Sequence, residues 1–173
     1  IIIKVNSMVD PDLISLLYDA SRAGVKITLI VRGICCLIPG IEGVSENITV
    51  ISIVGQLLEH SRIFKFENGG EPVVYIGSAD WMQRNLDKRV ELVFPVEDED
   101  LKKRVFGMLD IMMNDTINAR VQKSDMTYVM IDKRGKQPLN SQLEFYRLAK
   151  EALEEVKNDR QQPMFVPKES ENN

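Results

Sequence analysis

The sequence predicts an α/β domain in which a mixed β-sheet is flanked by helices on both faces. Three observations support this fold class. Strand-like apolar runs alternate with a helical segment near the start, a hairpin signal follows in the middle, and amphipathic helices occupy the last third. With 173 residues, 44% of them apolar, the chain provides the core of one domain and is short for two.

The first elements are typical of a β-α-β unit with parallel strands. Residues 1–5 are a strand-like run, and Asp10-Pro11 supplies an N-cap followed by proline at the first helical position. The helix is expected to stop at Gly24, after which residues 25–31 form the next apolar strand. A long glycine-containing loop leads to a third apolar run at residues 48–54.

The middle of the chain predicts a hairpin. A short turn of helix is expected around Leu57-Leu58. Residues 61–67 and 73–76 are strand-like, and the turn Asn68-Gly69-Gly70 between them is a strong hairpin signal. Residues 89–94 are expected to add a further strand.

Two amphipathic helices complete the predicted domain. Apolar residues recur with helical spacing from Leu101 to Met112 and from Leu143 to Val156, so each helix has one face that can cover a sheet. We expect a single domain over residues 1–160. Residues 161–173 contain two prolines and few anchoring apolar side chains, which predicts a flexible tail.

The charge balance and the hydropathy pattern exclude several classes of protein. Lys and Arg number 22 against 26 Asp and Glu, and the resulting net charge of −4 predicts no nucleic-acid partner, because nonspecific backbone binding needs a basic excess. No apolar run is long enough for a transmembrane segment. We therefore expect a cytoplasmic protein, with peripheral association at a membrane left open.

The first residues and the cysteines add two further expectations. The chain begins without Met inside a strand-like run, which suggests a fragment of a longer polypeptide. Cys35 and Cys36 are adjacent and cannot form a normal structural disulfide with each other, which suits a reducing compartment and a role as small core residues.

His60, the only histidine of the chain, is the first candidate for chemistry. An imidazole can attack phosphorus or protonate a departing oxygen near neutral pH. Arg62 follows two residues later at the start of a strand, where the period of two turns both side chains to one face and lets the pair bind one anion. The alternative is an ordinary amphipathic strand edge.

Arg32 is the second candidate because it directly follows an apolar strand and precedes Gly33. In a parallel sheet, ligands bind at the carboxyl ends of the strands, and a guanidinium there can bind two phosphate oxygens at once. The alternative for Arg32 is a surface ion pair.

The third candidate is the segment Gly77-Ser78-Ala79-Asp80. A Gly-Ser turn can bring a backbone N–H and the Ser78 hydroxyl against an anion, and Asp80 or Glu67 can orient an imidazole tautomer. The alternative for Asp80 is the N-cap of a following helix. Trp81 is predicted to belong to the core.

These strings resemble a known signature. The phospholipase D superfamily pattern consists of His-x-Lys, Asp and Gly-Ser-x-Asn. This chain has what looks like a variant of it: His60-x-Arg62, the acidic Glu67 five residues later, and Gly77-Ser78-x-Asp80. Together with the segments 4–11, 30–37, 45–48, 52–55 and 81–86, they closely resemble the final domain of bacterial polyphosphate kinases.

The resemblance implies a phospholipase D-like fold that occurs twice in the intact enzyme, with the active site between the two copies. The family reversibly transfers the terminal phosphate of ATP to polyphosphate through a phosphohistidine of the preceding domain. The implied partners are therefore ATP or ADP, polyphosphate and the upstream domains of the same polypeptide, in a homo-oligomer. Mg²⁺ accompanies ATP, and its site is expected mainly in the upstream domains, with none in this fragment.

The resemblance also assigns roles to residues of this chain. Arg32 would hold phosphate oxygens, and His60 would contact the transferring phosphoryl group or act as acid and base. Supporting positions are Arg62, Glu67, Ser78 and Asp80. Since the phosphohistidine belongs to the upstream domain, the fragment alone is expected to be inactive.

Two other functions stay open at this point. One is a phospholipase D-type nuclease or phosphodiesterase that completes its site by homodimerising, although Arg62 in place of lysine and Asp80 in place of asparagine count against it. The other is a noncatalytic domain that supports oligomer contacts and guides the polyanion.

Overall fold

The structure is a computed structural model that describes residues 1–159, and its centre is a mixed eight-stranded sheet. The strands are β1 (Ile2–Val5), β2 (Ile27–Val31), β3 (Ile48–Ile53), β4 (Ile63–Phe66), β5 (Val73–Gly77), β6 (Val93–Pro95), β7 (Ala119–Gln122) and β8 (Tyr128–Met130). The helices are α1 (Pro11–Arg22), α2 (Gln83–Lys88), α3 (Glu99–Met113) and α4 (Ser141–Asp159).

The sheet has a parallel centre and antiparallel edges. Its strand order is β6-β5-β4-β1-β2-β3-β7-β8. Strands β1, β2 and β3 run parallel, whereas β4, β5 and β6 on one side and β7 and β8 on the other pair antiparallel. Because β4 runs against β1, the start of β4 lies at the carboxyl end of β1.

Helices cover both faces of the sheet, as the sequence predicts. On one face, α1 packs through Leu17 onto a buried cluster that includes Ile3, Leu29 and Val50. On the other face, α3 packs through Leu109 and Met112, and α4 through Phe145, onto alternate residues of the same strands. The alternation of apolar side chains between two faces explains why the parallel strands read as continuous apolar runs.

The local signals around α1 act as expected. The Asp10 carboxylate accepts a hydrogen bond from the Leu13 backbone N–H at 3.0 Å, and Pro11 occupies the first helical position. After the helix, Gly24 adopts a φ of 86°, a left-handed conformation that favours glycine. These caps set where the chain leaves α1 and returns to the sheet at β2.

Several expectations about secondary structure need correction. Residues 54–60 contain no helix, so the turn expected around Leu57-Leu58 is wrong. The backbone there is held instead by Gln142 of α4, whose side chain accepts from the Leu57 N–H at 2.9 Å and donates to the Leu57 carbonyl at 2.6 Å. The strand predicted at residues 89–94 starts later and is shorter, since only β6 (Val93–Pro95) forms there. The strands β7 and β8 were not predicted.

Two further expectations concern the chain outside the sheet. None of the helices within residues 1–159 is long and apolar enough to cross a membrane. The flexible tail predicted for residues 161–173 lies outside the described residues, as does residue 160, so the boundary at 160 stays a prediction.

Candidate functional site

The candidate site lies where three strands meet at one edge of the sheet. Asn6 directly follows β1, Arg32 directly follows β2, and His60 stands three residues before β4. Because β1 and β2 are parallel and β4 runs against β1, all three residues lie at the same edge. This is the edge at which open α/β sheets bind ligands.

Asn6 connects Arg32 to His60. Its side-chain oxygen accepts a hydrogen bond from Arg32 Nε at 3.0 Å, and its side-chain nitrogen donates to the His60 carbonyl at 3.5 Å. Its backbone carbonyl accepts from the Gly33 N–H at 2.7 Å. Arg32 and His60 are far apart in sequence, but both bond to Asn6.

The backbone of His60 is fixed, whereas its ring faces solvent. Besides the contact with Asn6, the His60 carbonyl accepts from Arg62 Nη1 at 3.1 Å. The residue is exposed, and we find no hydrogen bond from its imidazole to any side chain or backbone group of residues 1–159. A fixed backbone with a free ring suits a side chain that acts on a bound substrate.

Arg62 and Asp80 form an ion pair beneath this edge. Arg62 Nη2 lies 2.8 Å from Asp80 Oδ2 and Nε lies 3.3 Å from Oδ1, with about a tenth of each side chain exposed. Asp80 Oδ1 also accepts from the backbone N–H groups of Asn6 at 2.7 Å and Ser7 at 3.2 Å. Burial raises the pKa of Asp80, but the hydrogen bonds from Arg62, Asn6 and Ser7 outweigh it and hold this pKa below its usual value.

This ion pair corrects three expectations. Arg62 does not share an anion with His60, because its guanidinium is occupied by Asp80 and by the His60 carbonyl. Asp80 contacts Arg62 and backbone N–H groups, and we find no imidazole among its partners. Asp80 is not a helix N-cap either, since α2 begins after Met82, which provides no side-chain cap.

Ser78 and Glu67 are also placed differently from expectation. The Ser78 hydroxyl donates to Glu91 and accepts from the Leu92 N–H at 3.0 Å, while the Ser78 N–H donates to the Leu92 carbonyl at 2.9 Å. Neither group is therefore free for an anion. Glu67 lies after the end of β4, at the opposite edge of the sheet, next to Lys65 at 3.9 Å. The structure does not bring Glu67 to the site.

Trp81 packs against the core beside Asp80, as predicted. Its ring stacks on Phe64 with centroids 5.7 Å apart and planes 8° from parallel. The backbone N–H and carbonyl of Trp81 also bond to the loop that follows β1.

Lys4 and Glu59 also lie at the site, and neither is predicted from the sequence. Lys4, buried on β1, forms an ion pair with Glu59 at 3.2 Å and donates to the Ser61 carbonyl at 3.1 Å. Burial lowers the pKa of Lys4, the pairing with Glu59 partly offsets this, and the nearby charge of Arg32 lowers the pKa further. A lysine inside an otherwise apolar run was the signal that could have identified this position.

The cations at this edge differ in whether they have a carboxylate partner. Lys4 pairs with Glu59 and Arg62 pairs with Asp80. Arg32, by contrast, is half-buried and has no carboxylate within ion-pair distance in residues 1–159; its Nε contacts only the neutral amide of Asn6. Arg32 is therefore a cation without a carboxylate partner in the described residues, which favours the binding of an anion.

The described residues do not fit a magnesium site. In residues 1–159 no three His, Cys, Asp or Glu side chains are grouped so that they could hold a metal ion. Of the carboxylates at this edge, Glu59 and Asp80 are paired with Lys4 and Arg62, and Glu91 accepts from Ser78 and Asn85. Oxygen ligands that Mg²⁺ prefers are thus engaged here by the protein's own side chains.

Comparison with known proteins places the chain in a family. The family described as polyphosphate kinase C-terminal domain 2 matches residues 1–142. The chain belongs to this family. It is 53% identical over 150 residues to the polyphosphate kinase of Lactiplantibacillus plantarum, covering 87% of this chain and 21% of that protein. It is 54% identical over 159 residues to the polyphosphate kinase of Synechocystis sp., covering 92% of this chain and 22% of that protein.

A solved polyphosphate kinase has the same fold. The structure of polyphosphate kinase from Porphyromonas gingivalis superposes with a TM-score of 0.84 at 42% identity, covering 89% of this chain and 24% of that one. The predicted family and the phospholipase D-like α/β fold are therefore confirmed. The chain spans about a fifth of the length of the curated polyphosphate kinases it matches.

Proposed function

We propose that this chain forms the C-terminal half of a polyphosphate kinase active site. The complete enzyme reversibly transfers the terminal phosphate of ATP to polyphosphate through a phosphohistidine that belongs to an upstream domain. The observation that carries this proposal is that Arg32, which has no carboxylate partner in residues 1–159, and the exposed residue His60 both bond to Asn6 at the ligand-binding edge of the sheet. Membership in the family supports it.

Each of the two residues has a separate task in this proposal. Arg32 binds oxygens of the phosphate groups, because a guanidinium presents planar N–H donors that match phosphate geometry. His60 contacts the transferring phosphoryl group or gives and takes a proton at its oxygen. Phosphoryl transfer depends mostly on positioning and charge stabilisation, which these two groups supply opposite an external nucleophile.

Arg62, Asp80, Ser78 and Glu67 take no direct part in binding in this proposal. Arg62 and Asp80 brace the backbone of His60, and Ser78 ties β5 to the segment before β6. The bracing also weighs against a nuclease or phosphodiesterase, because the residues at two signature positions of that superfamily bind each other here.

The missing half of the site belongs to the upstream part of the same polypeptide. The relatives are about four times as long as this chain, which leaves ample sequence for a second half. The loop before His60 exposes three apolar side chains, Val54, Leu57 and Leu58, at 64%, 56% and 71%. Exposed apolar side chains beside a charged site fit a covering domain that excludes water from the reaction.

Location and assembly complete the proposal. ATP as a substrate and the unpaired thiols of Cys35 and Cys36 favour the cytoplasm. A homo-oligomer of the whole protein is expected, and sedimentation of the full-length enzyme measures it.

Variants of the full-length enzyme test the proposed function. His60→Ala should lower the rate of polyphosphate synthesis about 10²-fold or more if the ring acts as acid or base. Arg22→Gln serves as a control for a surface substitution away from the site, because Arg22 is exposed and paired with Asp19 on α1. Wild-type turnover in His60→Ala would reduce His60 to a structural residue.

The isolated chain provides a second test. Incubated with labelled ATP and Mg²⁺, it should acquire no acid-labile label and elongate no polyphosphate. Labelled protein would contradict the proposal that the nucleophile lies upstream. Cleavage of a generic phosphodiester by a purified dimer would favour the nuclease instead.

A further inference from the structure

Asn6 is a buried amide whose polar groups all have partners. It is 4% exposed, and its backbone N–H and carbonyl bond to Asp80 and Gly33. Its side chain accepts from Arg32 Nε and donates to the His60 carbonyl. A buried side chain with this set of contacts has one orientation, because any other would leave polar groups unpaired.

The two arginines at this edge are anchored in different ways. Arg62 is held by a carboxylate, Asp80, which neutralises its charge. Arg32 is held by the neutral oxygen of Asn6, at 3.0 Å from Nε. An amide fixes the plane of a guanidinium through a hydrogen bond but leaves its positive charge uncompensated.

We propose that Asn6 is a positioning residue for phosphate binding, which orients the Arg32 guanidinium through Nε without neutralising it. This inference rests on the proposed function, in which Arg32 binds phosphate oxygens. With Nε engaged, the donors on Nη1 and Nη2 remain for the phosphate oxygens of ATP or polyphosphate. The Asn6 contact with His60 is longer, at 3.5 Å, so the contact with Arg32 carries the role.

The backbone beside Asn6 supports this orientation. The Gly33 N–H donates to the Asn6 carbonyl at 2.7 Å, and a Cβ at position 33 would lie 2.8 Å from the same oxygen. Glycine thus permits the turn after β2 to approach β1 closely. The approach holds Arg32, the residue before Gly33, within reach of the Asn6 side chain.

Two substitutions separate orientation from charge in the full-length enzyme. Asn6→Asp keeps the shape of the side chain but places a carboxylate against Arg32. Asn6→Ala removes the anchor without adding charge. We expect Asn6→Asp to raise the KM for ATP about 10-fold or more and Asn6→Ala about 3-fold, with smaller changes in kcat, because Arg32 binds the phosphates in both the ground state and the transition state.

The order of the two variants distinguishes this role from a structural one. A merely structural role would lower the free energy of unfolding of both variants, since aspartate cannot donate to the His60 carbonyl and alanine leaves buried groups unpaired, but it would not make the KM for ATP rise more in the variant that adds a charge. Asn47 is the matched control: it accepts from Lys26 and donates to the Ser21 carbonyl, at the opposite edge of the sheet. Asn47→Asp and Asn47→Ala should leave the KM for ATP unchanged.

An Arg32→Gln variant separates this inference from the proposed function. If Arg32→Gln leaves the KM for ATP unchanged, the proposed phosphate site is wrong. If it raises the KM while Asn6→Asp does not, the site stands and the role of Asn6 is wrong. An equal or larger KM in Asn6→Ala than in Asn6→Asp also overturns the role, and Asn6→Asp alone decides it if the alanine variant does not fold.

Discussion

Replacing Asp80 by asparagine tests whether the ion pair beneath the site depends on charge. Asparagine keeps the shape and can still accept at the position of Oδ1, where the Asn6 and Ser7 N–H groups point. At the position of Oδ2, however, its amide group faces Arg62 Nη2, which is a donor as well. The substitution therefore removes a charge-assisted hydrogen bond and leaves Arg62 without its counter-ion.

The expected loss of stability is about 3 kcal/mol. A hydrogen bond to a charged group contributes about 1.5–3 kcal/mol, and breaking a buried pair costs about 3–5 kcal/mol. The side chains of Arg62 and Asp80 are only 12% and 11% exposed, so solvent screening reduces this little. The value lies between the two ranges because asparagine retains part of the hydrogen bonding.

Urea unfolding followed by the fluorescence of Trp81 measures this loss. Trp81 is the only tryptophan of the chain and adjoins Asp80. Asp98→Asn is the matched control: Asp98 accepts from two N–H groups at the start of α3 but is exposed, and asparagine caps helices equally well. The free energy of unfolding of this control should lie within about 0.5 kcal/mol of the wild-type value.

The difference in the free energy of unfolding between wild type and Asp80→Asn should depend on pH. The pKa of Asp80 is lowered in the folded state, so its charge stabilises the fold fully above the unfolded pKa of about 3.9. This contribution is lost as the pH falls through the lower folded pKa, and the two stabilities then converge. A loss under about 1 kcal/mol at pH 7, or a difference that does not shrink in acid, would refute the reasoning.

Two further substitutions test the framework of the site. Gly33→Ala should destabilise the chain by about 1–3 kcal/mol, because its Cβ would lie 2.8 Å from the Asn6 carbonyl oxygen. Gly107→Ala in α3, where a Cβ meets nothing within 4 Å, should be neutral or stabilising, and equal effects in the two variants would argue against a steric cause. Gln142→Ala should speed hydrogen exchange of the Leu57 amide by about 5- to 10-fold, since a lost hydrogen bond corresponds to about 1 kcal/mol, and unchanged exchange would show that Gln142 does not hold this loop.

The fold could be predicted where local signals and tertiary packing agree. The Asp10-Pro11 cap, the apolar run of β2 and the glycine turn before β5 each specify an element on their own. β7 and β8 could not be predicted this way, because they are four and three residues long and the outer strand is exposed on every residue. Strands of this kind form because they pair with the edge strand of an existing sheet. A local sequence pattern does not show this pairing.

The same distinction applies to the site. The rule that ligands bind at the carboxyl ends of parallel strands located Arg32, and the antiparallel return of β4 places His60 at the same edge. The rule does not say which polar side chains bind each other. It therefore does not show that Arg62, expected to bind an anion, forms an ion pair with Asp80, expected to orient an imidazole or to cap a helix. Asn6 satisfies the same rule because it directly follows β1, but a neutral amide gives no charge signal in the sequence.

The pairing of charges at this edge agrees with the covering domain that we propose. Lys4 and Arg62 are buried, and each is compensated by a carboxylate, since an unpaired buried charge would be strongly destabilising. Arg32 is half-buried and lacks a carboxylate partner in the described residues, so water must supply part of its solvation in this chain alone. Phosphate binding becomes strong when that water is replaced by a lower-dielectric surrounding. The affinity of Arg32 for phosphate should therefore be weak in the isolated chain and increase in the full-length enzyme, and titration of both with inorganic triphosphate measures the difference.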